Sequence, residues 1–158
     1  MASVSDCGNV VHVGTFRCAS GALRVTDPCY EPGTWCAGSI SDCRTGEWAA
    51  VITRQDYGDW GRRVRQLTVR HVDGGTGDEQ QAKFEVGVDS GQAGVFDARQ
   101  FNTGDYDRWC RLSNPAGVRQ YGVVTSSGFG DGGYPCTYRR DADGKCFEVS
   151  ITFITEEE

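Results

Sequence analysis

A chain of 158 residues with 38% hydrophobic content, and with 22 glycines against 4 prolines, predicts a single domain spanning 1–158 around one core. The net charge of −6 excludes a broad phosphate-binding surface, so no nucleic-acid partner is expected. No apolar run approaches the roughly 20 residues that span a bilayer, so no membrane partner is expected either.

In chain order, the start Met1-Ala-Ser-Val-Ser-Asp-Cys7 lacks the basic and apolar stretches of an export signal. The expected compartment is therefore the cytoplasm. Val10 to Phe16 is rich in β-formers, and a second short strand runs from Ala22 to Thr26 until Asp27-Pro28 stops it. Residues 27 to 46 mix Pro, Gly, Ser, Asp and Cys without periodicity and predict a long loop. Glu47 to Arg54 alternates, with Trp48, Ala50 and Ile52 on one face. Val64 to Val72 sets Leu67, Val69 and His71 together. Gly74 to Asp78 reads as a hairpin tip, and Lys83 to Val88 as the returning strand.

Further strands are predicted at Ala93 to Asp97 and at Arg119 to Thr125, with Tyr106 to Leu112 as the one candidate helix. The C-terminal hairpin is the clearest element: Cys136 to Arg140, a turn over Asp141 to Lys145, then Cys146 to Ile154. There Phe147, Val149, Ile151 and Phe153 share one face, the period of a strand buried on one side. The fold class is all-β: an antiparallel sandwich or partly open barrel of about eight to nine short strands, with at most one short helix.

The eight cysteines (Cys7, Cys18, Cys29, Cys36, Cys43, Cys110, Cys136 and Cys146) show no close Cys-x-x-Cys pair, which argues against structural zinc. In a reducing compartment most are thiols, with one bridge between loop and hairpin residues allowed. If they were largely disulfide-bonded, an extracellular or virion-associated location would replace the cytoplasmic one. The basic clusters Arg62, Arg63, Arg65 and Arg139, Arg140 read as solvated faces, and His12 and His71 as satisfied strand residues.

Three segments are more particular: Asp27-Pro28-Cys29-Tyr30, Val88-Asp89-Ser90-Gly91-Gln92, and Ser126-Ser127-Gly128-Phe129-Gly130-Asp131-Gly132-Gly133-Tyr134-Pro135. Together, over roughly residues 20 to 154, they resemble the bacterial and phage proteins grouped as domain of unknown function 4241. Those share a Ser-Gly-x-Leu-x-Val-x-Asp-Pro-Cys-Tyr start, a Val-Asp-Ser-Gly-Gln centre and a Gly-Asp-Gly-x-Tyr-Pro segment. The resemblance implies an intact domain and says little of activity.

Asp27, Asp89, Asp97 and Asp131 sit at strand ends or in glycine-rich turns, where backbone can approach a ligand. The candidate ligand-binding residues are Asp27, Tyr30, Asp89, Ser90, Gln92, Asp97, Asp131 and Tyr134. If Asp27, Asp89, Asp97 and Asp131 converged, their oxygens would suit Ca²⁺ or Mg²⁺; otherwise they cap turns, and no cofactor is the default. Val88-Asp89-Ser90-Gly91 is similar to the aspartic-protease signature, whose chemistry needs two aspartates sharing a proton. Tyr30, Trp35, Phe129 and Tyr134 offer flat apolar faces for a carbohydrate or other small polar ligand.

The expected function is a non-enzymatic binding or assembly module with a loop-built site, taking a small polar ligand or a protein partner, with an oligomer possible. One alternative is an aspartate-dependent or metal-assisted hydrolase using Asp89 with Asp131 or Asp97. Another is a structural component of a phage, virion or surface assembly.

Overall fold

The computed structural model describes residues 9–31, 37–113 and 115–154. Alternating apolar residues organise these into two antiparallel sheets. The larger contains β1 (Val10–Cys18), β4 (Gly46–Asp56), β5 (Arg62–His71), β11 (Cys146–Thr152), β10 (Gly132–Arg140) and β6 (Glu79–Val88), in that spatial order. The smaller contains β3 (Gly38–Ile40), β2 (Leu23–Thr26), β7 (Gln92–Asp97), β9 (Gly122–Ser126) and β8 (Ala116–Arg119). The all-β sandwich expected from the sequence is the observed fold.

The core lies between the sheets. Phe16, Trp48, Ala50, Ile52, Leu67, Val69, Val149 and Ile151 of the larger sheet bury against Leu23, Val25, Ala93, Val95 and Val123 of the smaller. Removing such side chains from water is the main favourable term in folding. The far face of the smaller sheet is covered too. Helix α1 (Tyr106–Leu112) lays Trp109 on Phe96, 4.8 Å between ring centroids, with Phe101 and Val124 beside them. Cover on both faces explains why β7 is buried along its whole length.

Several expectations need correction. Among the described residues the strands number eleven, not eight or nine. One of them, β3, lies inside the segment read as a long loop. The strand expected over Arg119 to Thr125 is a hairpin: Arg119 pairs with Gly122 across Gln120 and Tyr121. In the last strand the simple alternation fails at a bulge, where Arg139 and Arg140 of β10 pair with Glu148 and Cys146 and Phe147 is skipped. The bulge puts Cys146, not Phe147, in the main core. Phe147 remains buried, with the Arg44 and Arg70 guanidinium carbons 5.7 and 5.1 Å from its ring centre, under Gly75 and Gly77.

His71 is a satisfied strand residue, as expected. Its Nδ1 accepts from Asp73 N at 3.2 Å, which leaves Nε2 to donate to Thr45 O at 2.8 Å. His12 is exposed in β1. Cys18, Cys29, Cys43, Cys110, Cys136 and Cys146 are all free thiols, whereas Cys7 and Cys36 lie outside the described residues. Among the described residues no helix is long and apolar enough to cross a membrane.

Candidate functional site

Topology brings the three motifs together. The chain passes between sheets from β6 to β7 through Asp89-Ser90-Gly91, and back from β9 to β10 through residues 127–131. Both passages lie at the end of the sandwich where β2 finishes, because β2 and β9 each run antiparallel to β7. Asp27, Asp89 and Asp131 therefore meet although tens of residues separate them.

Asp27 is the centre of this meeting. It is fully buried, and its carboxylate accepts four hydrogen bonds. Oδ1 takes Cys29 N at 2.9 Å and Ser90 Oγ at 2.7 Å; Oδ2 takes the N–H groups of Asp89 and Ser90, both at 2.8 Å. A buried carboxylate is tolerable only with donors of this kind around it. Its role is to fasten the first motif to the second.

The other motif residues complete the fastening. Tyr30 donates its hydroxyl to Asp89 Oδ2 at 2.7 Å. Asp131 Oδ1 accepts from Gly91 N at 3.1 Å, and Gly91 O accepts from Ser127 N at 3.1 Å. Ser127 and Gly130 close a tight turn, Gly130 N donating to Ser127 O at 3.1 Å. Gly128 in that turn has φ +66°, in the left-handed region that favours glycine. Tyr134 donates to Gly130 O at 2.6 Å and packs edge-on against Phe153.

Two expected site residues face elsewhere. Asp97 lies at the opposite end of β7, roughly 16 Å of extended strand from Gln92. There it accepts from the Ser20 hydroxyl, from Ser20 N at 3.1 Å and from Gln100 Nε2 at 3.0 Å. Four converging carboxylates are thus not formed. Among the described residues no group of three or more His, Cys, Asp or Glu is arranged to hold a metal ion. Gln92 is buried and turns towards α1, its Nε2 3.0 Å from Cys110 Sγ and its Oε1 without a partner. Trp35 lies outside the described residues.

The thiol in the first motif is not an activated nucleophile. Burial, a hydrogen bond to Asp27 and the nearby Asp27 and Asp89 charges push Cys29 up to about 12, so it is a neutral thiol at physiological pH. Nearby, a hydrogen bond with Cys110 raises the Tyr106 hydroxyl above its ordinary value.

Beside the fastened motifs lies an open cleft that sequence reasoning missed. Arg54, Arg62 and Arg63, from the β4–β5 hairpin, face Ser126, Ser127, Gly128 and Gly130 across about 300 Å³. Through Arg63 and Phe129 the cleft continues into a hollow of about 490 Å³ lined by Tyr57 and Trp60. Phe129 and Trp60 are 50% and 68% exposed, which is unusual for large apolar side chains grouped together. The signal available in the sequence was the glycine-flanked Phe129, while Arg62 and Arg63 read, with Arg65, as a solvated cluster and Arg54 as the end of a strand. No family model, no curated protein and no solved structure matches the chain.

Proposed function

We propose that the chain is a non-enzymatic binding module that takes a small polar ligand at this loop-built end. The observation that carries the reading is a contrast within that end. The polar groups of the motifs bond one another, while the adjoining cleft is open and lined by arginines, serines and half-exposed aromatic rings. Ligand sites are commonly concave, apolar in part, and held by a few convergent polar groups. Membership of the domain of unknown function 4241 group is proposed on the three motifs alone, and a cytoplasmic location on the six free thiols among the described residues.

A hydrolase has less support. Asp89 accepts from Tyr30, Asp131 caps Gly91, and Asp97 stands at the far end. Each carboxylate is held by a different donor, whereas paired catalytic aspartates face one another across a shared proton.

The test is a thermal-shift screen of small polar ligands, followed by hydrogen-exchange mapping of each hit. A binding module gives at least one stabilising ligand whose protection falls on residues 89–91 and 126–131. A screen with no stabilising ligand, or turnover of an ester or peptide that Asp89→Asn abolishes, overturns the reading.

A further inference from the structure

Two cysteines meet where the chain crosses from β3 in the smaller sheet to β4 in the larger. Cys43, on that crossing, forms an isolated parallel bridge with Cys146, the first residue of β11. Backbone hydrogen bonds clamp the bridge on both sides: Cys146 N donates to Asp42 O at 2.7 Å, and Arg44 N to Cys146 O at 3.0 Å. Cys43 N donates in turn to Gly21 O at 2.8 Å. Paired extended segments lie about 5 Å apart, with partner side chains on the same side. A disulfide spans Cα separations of about 4.4–6.8 Å, so this backbone already has the spacing that one needs.

The side chains are matched as well. A hydrogen bond joins the two thiols; it lowers Cys146 below its ordinary value and, with burial, raises Cys43. Cys146 is therefore the sulfur that gives up its proton first. The neighbouring buried thiols are engaged elsewhere, Cys18 donating to Ala22 O at 3.7 Å and Cys136 to Thr137 O at 3.9 Å. Cys146 is fully buried, but Cys43 lines an open polar cleft of about 470 Å³ with Thr45, His71 and Lys145. A small oxidant in that cleft meets Cys43 with its partner beside it. Buried thiols are ordinarily inert; this pair differs because a second sulfur stands ready to resolve the first oxidation.

We propose that Cys43 and Cys146 form a reversible, stabilising disulfide, oxidised by a small peroxide that enters from this cleft. The Cys146 sulfur, its proton released to solvent, attacks one peroxide oxygen. An S–O bond forms, the O–O bond breaks, and hydroxide leaves as water with the Cys43 proton. The Cys43 sulfur then attacks the sulfur of the Cys146 sulfenic acid. The S–S bond forms, the S–O bond breaks, and the second hydroxide leaves as water with a solvent proton. Two electrons have passed from the two sulfurs to the peroxide. A dithiol reverses the step, its own sulfurs becoming the disulfide. Closure ties the crossing to the last described strand across roughly one hundred residues, which restricts the unfolded chain. The inference shares no residue with the loop-end cleft and does not depend on its ligand.

The test adds hydrogen peroxide in steps to the folded, reduced chain until the exposed thiol Cys110 is oxidised. The products are denatured, alkylated without reductant, digested and mapped by mass spectrometry. A peptide pair joining Cys43 to Cys146 should account for most of the loss of those two thiols, and dithiothreitol should restore both. The cross-linked form should unfold at a higher urea concentration than the reduced form. Cys43→Ser should abolish the cross-link and leave Cys146 open to alkylation after denaturation. Cys110→Ser, at an exposed position, should leave the cross-link intact. Should Cys43→Ser disturb folding, the map of the unsubstituted chain decides.

Free thiols at both positions once Cys110 is oxidised overturn the inference. So does a cross-link from either cysteine to a third, or sulfinic acid at Cys43 or Cys146 in place of the bond. A cross-linked form that unfolds at the same or a lower urea concentration overturns it too.

Discussion

Asp27 and Asp97 stand at opposite ends of one antiparallel strand pair, β2 with β7, and both are fully buried. Asp27 gathers three backbone N–H groups and one hydroxyl from two loops more than sixty residues apart in sequence. Asp97 accepts mainly from side chains, those of Ser20 and Gln100, with one backbone N–H besides. The first is a knot between sheet crossings, while the second is a plug over a closed end. A buried aspartate at a strand end thus marks where the chain is fastened. The surface that a ligand can reach is built by the neighbours that the fastening holds in place.

The largest effect expected from this contrast is on stability. Asp27→Ala removes the buried acceptor of three part-buried N–H groups and should cost about 3–5 kcal/mol, read by urea unfolding. Asp97→Ala should cost less, about 1–3 kcal/mol, because the exposed Ser20 and Gln100 side chains turn to water instead. Equal costs, or the reverse order, would break the distinction between knot and plug.

Alkaline pH should produce the next effect. Burial pushes Cys18 up to about 11 and Cys136 up to about 12, and burial aided by Asp27 pushes Cys29 up to about 12. Their unfolded value is near 9, so above it the unfolded chain releases protons that the folded chain retains. The stability these thiols contribute is therefore whole below pH 9 and declines as pH rises through 11 to 12. Denaturant unfolding at pH 7, 9 and 10 should show that fall, and Cys136→Val should shallow it. A flat profile would mean that the thiols titrate alike in both states.

Asp89→Asn should cost less than about 1 kcal/mol, since an amide oxygen still accepts from the Tyr30 hydroxyl. Thermal unfolding checks this, and a loss above about 2 kcal/mol would make Asp89 part of the knot. Phe129→Ala should have the smallest effect, about 0.5 kcal/mol, as half of that side chain already faces water. A larger loss would show that the aromatic hollow is a minor core.

Much of the fold was legible because alternation is a local signal. Trp48, Ala50 and Ile52 announced β4, and Leu67, Val69 and His71 announced β5. The β8–β9 hairpin was hidden because Gln120 and Tyr121 carry none of the residues that mark a tight turn. The bulge that moves Phe147 out of the main core depends on the partner strand, which the pattern of β11 alone does not contain. In the site, the convergence of Asp27, Asp89 and Asp131 followed from their shared position at strand ends. The burial of Asp27 did not, since three of its four donors come from about sixty residues away. Arg62 and Arg63 looked solvated, and Arg54 a plain strand end, because only the fold sets residues 126–130 against them.

The position of β11 has a consequence for synthesis on the ribosome. This strand lies between β5 and β10 near the middle of the larger sheet, yet it is the last of the described strands to be made. Until β11 has been made, β5 has only β4 to pair with and its other edge has no partner. The inward residues Leu67 and Val69 have by then only part of their cover. An open, apolar strand edge is a template for association with other chains, and pairing across about eighty residues is slow to find. The larger sheet therefore closes only after β11 has left the exit tunnel, and until then the free edge of β5 is open to association.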